Sequence, residues 1–364
     1  LRVSKIGYQI SQNSDLNEIK NLLSNHTKRA YLVGGSVRDL ILGIGSKDYD
    51  IEIYDIGPIE FDSIMKRCGA TGVGKSYFVY KLKNYDLSLP RRESKSGFGH
   101  KGFSVEYCND ELSASLRRDF TMNSIMVNIF SGEVLDFWGG IGDLRAKRLK
   151  ITNPSSFSED SLRVLRAVGF VSRFNLNCEP RSLSLMREID INDLSLNRIS
   201  MELEKFFVSK FQRLGAELLR ELNLDKRLFG VRFDDGFLGL ISSKISTNKA
   251  SFLYYLINYY DINGKELLSS LALPNSYSIS YKQPFFKKIS KFNMMKIALD
   301  MPLSNWLGLD SKARIKMAKD LGIYDCKFSP HIDTASIKAT GKAYGDELKR
   351  LKIGAIKEYL SDRN

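Results

Sequence analysis

The chain has 364 residues, 43% hydrophobic and 27% charged, an ordinary globular composition with enough length for two or more cores. Its 55 Lys and Arg against 42 Asp and Glu leave a net charge of +13, which points to a polyanionic partner, nucleic acid before others. No apolar run approaches the roughly 18 residues of a membrane span, and no apolar signal core opens the sequence. The four cysteines, Cys68, Cys108, Cys178 and Cys326, form neither C-x-x-C pairs nor a disulfide framework and read as reduced thiols of a cytoplasmic protein. The chain begins at Leu1 rather than at a methionine, which reads as trimmed.

In chain order, "NSDLNEIKNLLSN" places Ser14 as an N-cap before Leu16, Ile19, Leu22 and Leu23, a helical spacing. In "RAYLVGGSVRDLILGIGSKDYDIEIYDI", Tyr31 to Val33 read as a strand and Gly34-Gly35 as a turn. Val37 to Leu42 then read as a helix and Tyr49 to Tyr54 as a second strand. Two-residue alternation in "FVYKLKNYDLSL" suggests a hairpin turning at Lys83-Asn84. After Pro154 three-and-four spacing takes over, so mixed α/β up to about Lys150 gives way to helix. The basic stretches there, such as "YKQPFFKKISKFNMMKI", are either solvated helix faces or, with Phe and Tyr interleaved, a surface tracking an RNA backbone.

Gly69 to Ser76, "GATGVGKS", matches the phosphate-loop pattern letter for letter. A working phosphate loop lies between a buried strand and a helix, whose N-terminus helps to hold the anion. Here "FDSIMKRC" before it looks helical and "YFVYKLKNYDLSL" after it looks extended, the reverse order. The stretch reads as a glycine-rich turn before an edge strand.

"VGGSVRDLILGIGSKDYDIEI" carries more chemistry. Gly34 and Gly35 lie where a strand becomes a helix, so backbone amides can approach a phosphate, and Arg38 can add a guanidinium to the same anion. Asp48 and Asp50, two apart on a strand, project from one face, a pairing of like charges that suggests Mg²⁺ ligation. Asp86 becomes a third carboxylate if its strand lies beside the first. The three would then hold two metal ions about 4 Å apart for nucleotidyl transfer.

The same residues resemble the first signature of the class II tRNA nucleotidyltransferases and bacterial poly(A) polymerases, within the polymerase-β nucleotidyltransferase superfamily. "LRRDFTMNSI", "DFWGGIGDLRAKRL" and "SEDSLRVLRAVGF" resemble the next three signatures in order, over about Tyr31 to Phe174, and "NRISMELEKFF" extends a weaker match. The resemblance implies that Gly35 and Arg38 contact the triphosphate, that Asp48 and Asp50 ligate the metal, and that Arg118 contacts the nucleotide. It implies that Asp119 and Asn123 place its ribose or brace the site. Asp160 and Arg163 are the implied amino-acid template for cytosine or adenine, with Arg166 a further nucleotide contact. Asp160, Arg163 and Arg166 recur at helical spacing, apart from Leu162 and Leu165, as side chains reading a base edge require; an ion-pair ladder with Glu159 reaching Arg163 is the plainer alternative.

One position departs from the pattern: where the family commonly has "LRAxRF", this chain has Gly169 in place of an arginine. A glycine inside a helix costs about 1 kcal/mol relative to alanine, and suggests close packing there. The stretch "RRESKSGFGHKGFSVEYCNDELSASL", with Gly97, Gly99, Gly102 and His100, resembles the family's flexible loop. None of the three histidines adjoins an aspartate, so the His-Asp phosphohydrolase domain of some relatives is not expected.

The expected architecture is α+β: an N-terminal helical extension (1–27), a small mixed α/β nucleotidyltransferase head (28–150), and a helical neck (151–220), body and tail (221–364). The implied activity is addition of C, C and A to the tRNA 3′ end from CTP and ATP with Mg²⁺, without a membrane partner. An A-adding, CC-adding or poly(A)-adding relative, or a non-catalytic RNA-binding protein, stands as the alternative.

Overall fold

The computed structural model describes residues 3–45, 48–74, 78–95, 103–242 and 248–362. Two helices, α1 (Val3–Ser11) and α2 (Asn17–Leu23), precede the sheet. The cap expected at Ser14 is made by Asn13, whose side chain accepts from the Asp15 amide to open a short 3₁₀ turn, Ser14–Leu16, before α2. Asn and Ser cap almost equally well, and tertiary contacts decide between neighbours: Asn13 Nδ2 and Asp15 Oδ2 both reach the Tyr49 hydroxyl.

The strand–helix–strand unit follows as β1 (Ala30–Val33), α3 (Gly34–Ile41) and β2 (Tyr49–Ile53). β1 is four apolar residues, all buried, as a strand covered on both faces should be. The glycines are not a separate turn but the first residues of α3, with Gly34 at φ +65°, a conformation open to glycine at little strain. After α4 (Pro58–Arg67) come β3 (Thr71–Gly74), β4 (Val79–Leu82), β5 (Tyr85–Ser88), β6 (Arg91–Lys95) and β7 (Phe103–Tyr107). The β4–β5 hairpin turns at Lys83-Asn84 with Leu82 opposite Tyr85, as the alternation implied. β3 corrects one detail: Thr71–Gly74 is itself the edge strand, antiparallel to β4 with an irregularity at Gly72/Gly74, while Lys75 and Ser76 lie outside the described residues. A helix-to-strand order is what the phosphate-loop reading could not accommodate. Gly97, Gly99, His100 and Gly102 also lie outside the described residues.

Then come α5 (Glu111–Ser115), β8 (Met126–Asn128), β9 (Val134–Leu135), α6 (Gly140–Arg145), β10 (Arg148–Leu149), α7 (Pro154–Ser158), α8 (Leu162–Phe174), β11 (Asn177–Cys178), α9 (Pro180–Glu188) and α10 (Leu196–Phe207). The main sheet has the order β3-β4-β5-β2-β1-β8-β9, in which β2 and β5 run parallel and every other pair is antiparallel. Tyr49 and Tyr85 stack, their centroids 6.0 Å apart, on the face that meets the turn before α2. The strand period of two therefore sends Asp50, Glu52 and Asp86 to the opposite face.

The chain divides into two compact units, Leu1–Glu202 and Leu203–Asn364, a division that falls inside the stretch expected as one neck. The second unit continues with α11 (Gln212–Glu221), α12 (Leu224–Phe229), α13 (Asp235–Ser242), α14 (Ser251–Tyr260), α15 (Gly264–Ser270), α16 (Ile279–Lys282), α17 (Lys291–Ala298), α18 (Lys312–Asp320) and α19 (Gly341–Ser361). Phe206, Phe207, Phe229, Phe233 and Phe237 gather around Phe252. Farther along, Met294, Met295, Trp306, Leu321 and Ile356 form another core, against which Phe286 and Phe292 pack. Phe286 and Phe292 of "YKQPFFKKISKF" thus pack against this core while Lys282, Lys287, Lys288 and Lys291 stay exposed. Among the described residues no helix is long and apolar enough to cross a membrane, and all four cysteines are free.

Candidate active site

Ser36, which the sequence reading passed over, joins the glycine turn to the aspartates. Its hydroxyl donates to the Asp48 carbonyl at 3.0 Å and accepts from the Asp50 amide at 3.1 Å. The α3 N-terminus, without a side-chain cap, is thereby fixed beside the start of β2. A Cβ on Gly34 would lie 3.6 Å from both Asp50 Oδ2 and an Arg118 guanidinium nitrogen. The α3 N-terminus, the Asp50 carboxylate and the Arg118 guanidinium therefore lie near one point, where the helix end and the arginine suit a phosphate and the carboxylate suits a cation shared with it.

Asp50 pairs in register with Asp86 across the parallel β2–β5 ladder, as the expected hairpin placement demanded. Burial pushes the Asp50 pKa up; Arg118 opposes this, and the nearby charges of Asp86 and Asp48 add to it. Asp86 meets Lys81 of β4 at 3.6 Å. Among the described residues no three acidic, His or Cys side chains are drawn together closely enough to hold a metal ion. Asp48 and Asp50 still fit one: a half-buried carboxylate destabilised by two neighbouring acids is a site that gains from a divalent cation.

Arg38 lies deeper than the triphosphate role suggested. It is 4% exposed, with Nε on Asp39 at 2.9 Å, NH1 on Asn123 Oδ1 at 2.7 Å, and its guanidinium over the Phe174 and Phe170 rings. Asn123 Nδ2 donates to Asp119 Oδ1 at 2.9 Å, and Asp119 Oδ2 accepts from Arg166 Nε at 2.8 Å. A continuous chain of charged and polar groups thus links α3, the turn after Arg118 and α8. Burial alone would raise the Asp119 pKa, but Arg166, Asn123 and Arg163 reverse it and hold the carboxyl below its usual range. The "DFWGGIGDLRAKRL" segment braces this turn: Thr121 donates to Asp143 at 2.7 Å, and a Cβ on Gly140 would collide with the Thr121 carbonyl at 2.1 Å.

The two residues expected as a base-reading template differ. Arg163 is 9% exposed and donates to the Ser156 carbonyl at 2.8 Å and the Arg117 carbonyl at 2.7 Å. Asp160, in the turn before α8 rather than on it, is more open and accepts from Arg198 at 3.1 Å. Gly169 overturns the close-packing expectation: a Cβ there would meet nothing within 4 Å, although α8 runs through it unbroken. Glu52, also passed over, is 1% exposed and holds Arg117 at 3.5 Å and Arg118 at 2.8 Å. The only sequence sign of it was its place two residues beyond Asp50 on the same strand.

Residues 30–150 match the family of the poly A polymerase head domain. The CCA-adding enzyme of Lactococcus lactis subsp. cremoris (strain MG1363) is 31% identical over 274 residues, which are 70% of this chain and 66% of the relative. The chain thus spans about two thirds of that relative's length. The structure is similar to a Thermotoga maritima CCA-adding enzyme complexed with tRNA-CCA (TM-score 0.67, 20% identity, 100% of this chain and 98% of that one). It is also similar to a Bacillus stearothermophilus CCA-adding enzyme in complex with CTP (TM-score 0.63, 22% identity, 93% and 82%). At those identities the likeness to the solved structures speaks for the fold, and the head-domain match places residues 30–150 of the chain in the family of the poly A polymerase head domain.

Proposed function

We propose that the chain is a template-free, cytoplasmic nucleotidyltransferase that adds C, C and A to the 3′ end of tRNA from CTP and ATP. The observation that carries this reading is the convergence of Asp50, Arg118 and the α3 N-terminus at Gly34, with Asp48 and Asp86 contributing to the same electrostatic field. Asp48 and Asp50 would hold Mg²⁺, with Asp86, the register partner of Asp50, adding its charge to the same field. When bound, the ion supplies Lewis-acid stabilisation of the phosphoryl charge and activation of the attacking hydroxyl.

The protein's own groups divide the remaining work. The α3 amides and Gly35 bind the triphosphate, Arg38 supports them from beneath, and Arg118 adds a cation at the same point. Asp119 and Asn123 fix the turn on which Arg118 stands and bridge to Arg166. Asp160 contacts the base edge, while Arg163 orients that segment through the Ser156 and Arg117 carbonyls.

RNA contact in the second unit is supported by a groove of about 260 Å³ between α17 and α19, lined by Lys296, Lys349 and Lys352 with Asp300 as the counter-charge. The test of the reading is the double variant Asp48→Ala/Asp50→Ala. Incorporation should fall about a thousandfold or more while tRNA affinity is kept. Retained incorporation would refute the assignment.

A further inference from the structure

Glu52 has no part in the activity just described, yet it is more deeply buried than any acid around it, at 1% exposure in the strand that carries Asp50. Burying a carboxylate without partners is costly, so its partners define its purpose. One oxygen meets Arg117 at 3.5 Å and the other meets Arg118 at 2.8 Å, so one carboxylate holds two successive arginines. Arg117 is tied a second way, its carbonyl accepting from Arg163 at 2.7 Å. Arg118 is also near enough to Asp50 to feel its charge, and each has an atom 3.6 Å from where a Cβ on Gly34 would lie. Burial works against the Arg118 charge, and Glu52 and Asp50 together more than offset it.

An arginine with only Asp50 for a counter-ion would close on that carboxylate and cover the point where a phosphate is received. A second anion behind it changes this balance. We propose that Glu52 is a positioning residue that anchors the Arg118 guanidinium from behind, so that its free edge is presented to the nucleotide phosphates at Gly34. The inference rests on the reading of this site as a nucleoside triphosphate site.

The test is a double-mutant cycle on the full chain, with CTP affinity measured by equilibrium dialysis and with KM and kcat for CTP incorporation. Glu52→Gln preserves the shape and removes the charge, and should weaken CTP binding about tenfold. In an Arg118→Ala background the same change should have little further effect, because the group it positions is gone. A merely structural role would lower the melting temperature equally in both backgrounds without coupling to CTP affinity. Should Glu52→Gln not fold, Glu52→Asp, which withdraws the charge by one methylene, reads the same coupling. Unchanged CTP affinity in Glu52→Gln, or additive losses in the cycle, would overturn the inference. Unchanged affinity in Arg118→Ala alone would instead overturn the assignment of Arg118 to the nucleotide.

Discussion

Asp50 of β2 and Asp86 of β5 are register partners in the parallel pair of the sheet, so their carboxylates leave the sheet on one face. A third acid in that position both raises the Asp50 pKa and adds to the field that attracts a cation. Asp86→Asn should therefore lower kcat about a hundredfold, less than loss of Asp48 and Asp50, with tRNA affinity unchanged. A variant with full kcat would remove Asp86 from the site.

Arg163 and Asp160 should separate under mutation. Arg163→Ala removes the donor to the Arg117 carbonyl and one of two donors to the Ser156 carbonyl, and should destabilise the protein by about 1–3 kcal/mol, seen in urea unfolding. Asp160→Ala should change stability little and shift the CTP-to-ATP incorporation ratio. An unchanged ratio would sink the base-reading role.

Gly169 faces open space, so Gly169→Arg should be accommodated and should gain roughly 1 kcal/mol of helix propensity. Its melting temperature should rise slightly. A large fall would show that the space is occupied in solution.

Asp119 predicts a pH dependence. Its native carboxyl is held below its ordinary value of about 3.9, so the unfolded chain binds that proton more tightly. The stabilisation is complete above that value and fades as the pH falls through the lowered native pKa. Asp119→Asn should lose about 1–3 kcal/mol at neutral pH, a moderate sum because Arg166 keeps 35% exposure, and should flatten the acid limb of the stability curve. Parallel acid limbs in the two proteins would contradict this.

The lysine groove is tested by salt. Replacing Lys296, Lys349 and Lys352 by Ala should weaken tRNA binding and reduce its logarithmic salt slope by about two to three units. An unchanged slope would place the RNA elsewhere.

Where the determinants were local, the sequence was sufficient: β1, α3, β2 and the Lys83-Asn84 turn follow from short-range pattern, and that turn sets Asp86 opposite Lys81, whereas its pairing with Asp50 depends on the long-range β2–β5 ladder. What it missed depends on contacts between distant segments. Arg38 meets Asn123 across 85 residues, and Glu52 meets Arg118 across 66, so neither burial could be inferred from spacing. Ser36 was hidden among better-known neighbours, and the edge strand at Thr71 was hidden by glycines, which weaken any strand signal.

The central claim is tested most directly by supplying the protein with tRNAs that lack the last three, two or one nucleotides, giving CTP and ATP separately and together, and sequencing the products. The account predicts C added to the first two, A added only to the third when single nucleotides are supplied, and completion to CCA with both. Absence of incorporation, or a run of A on every substrate, would contradict it.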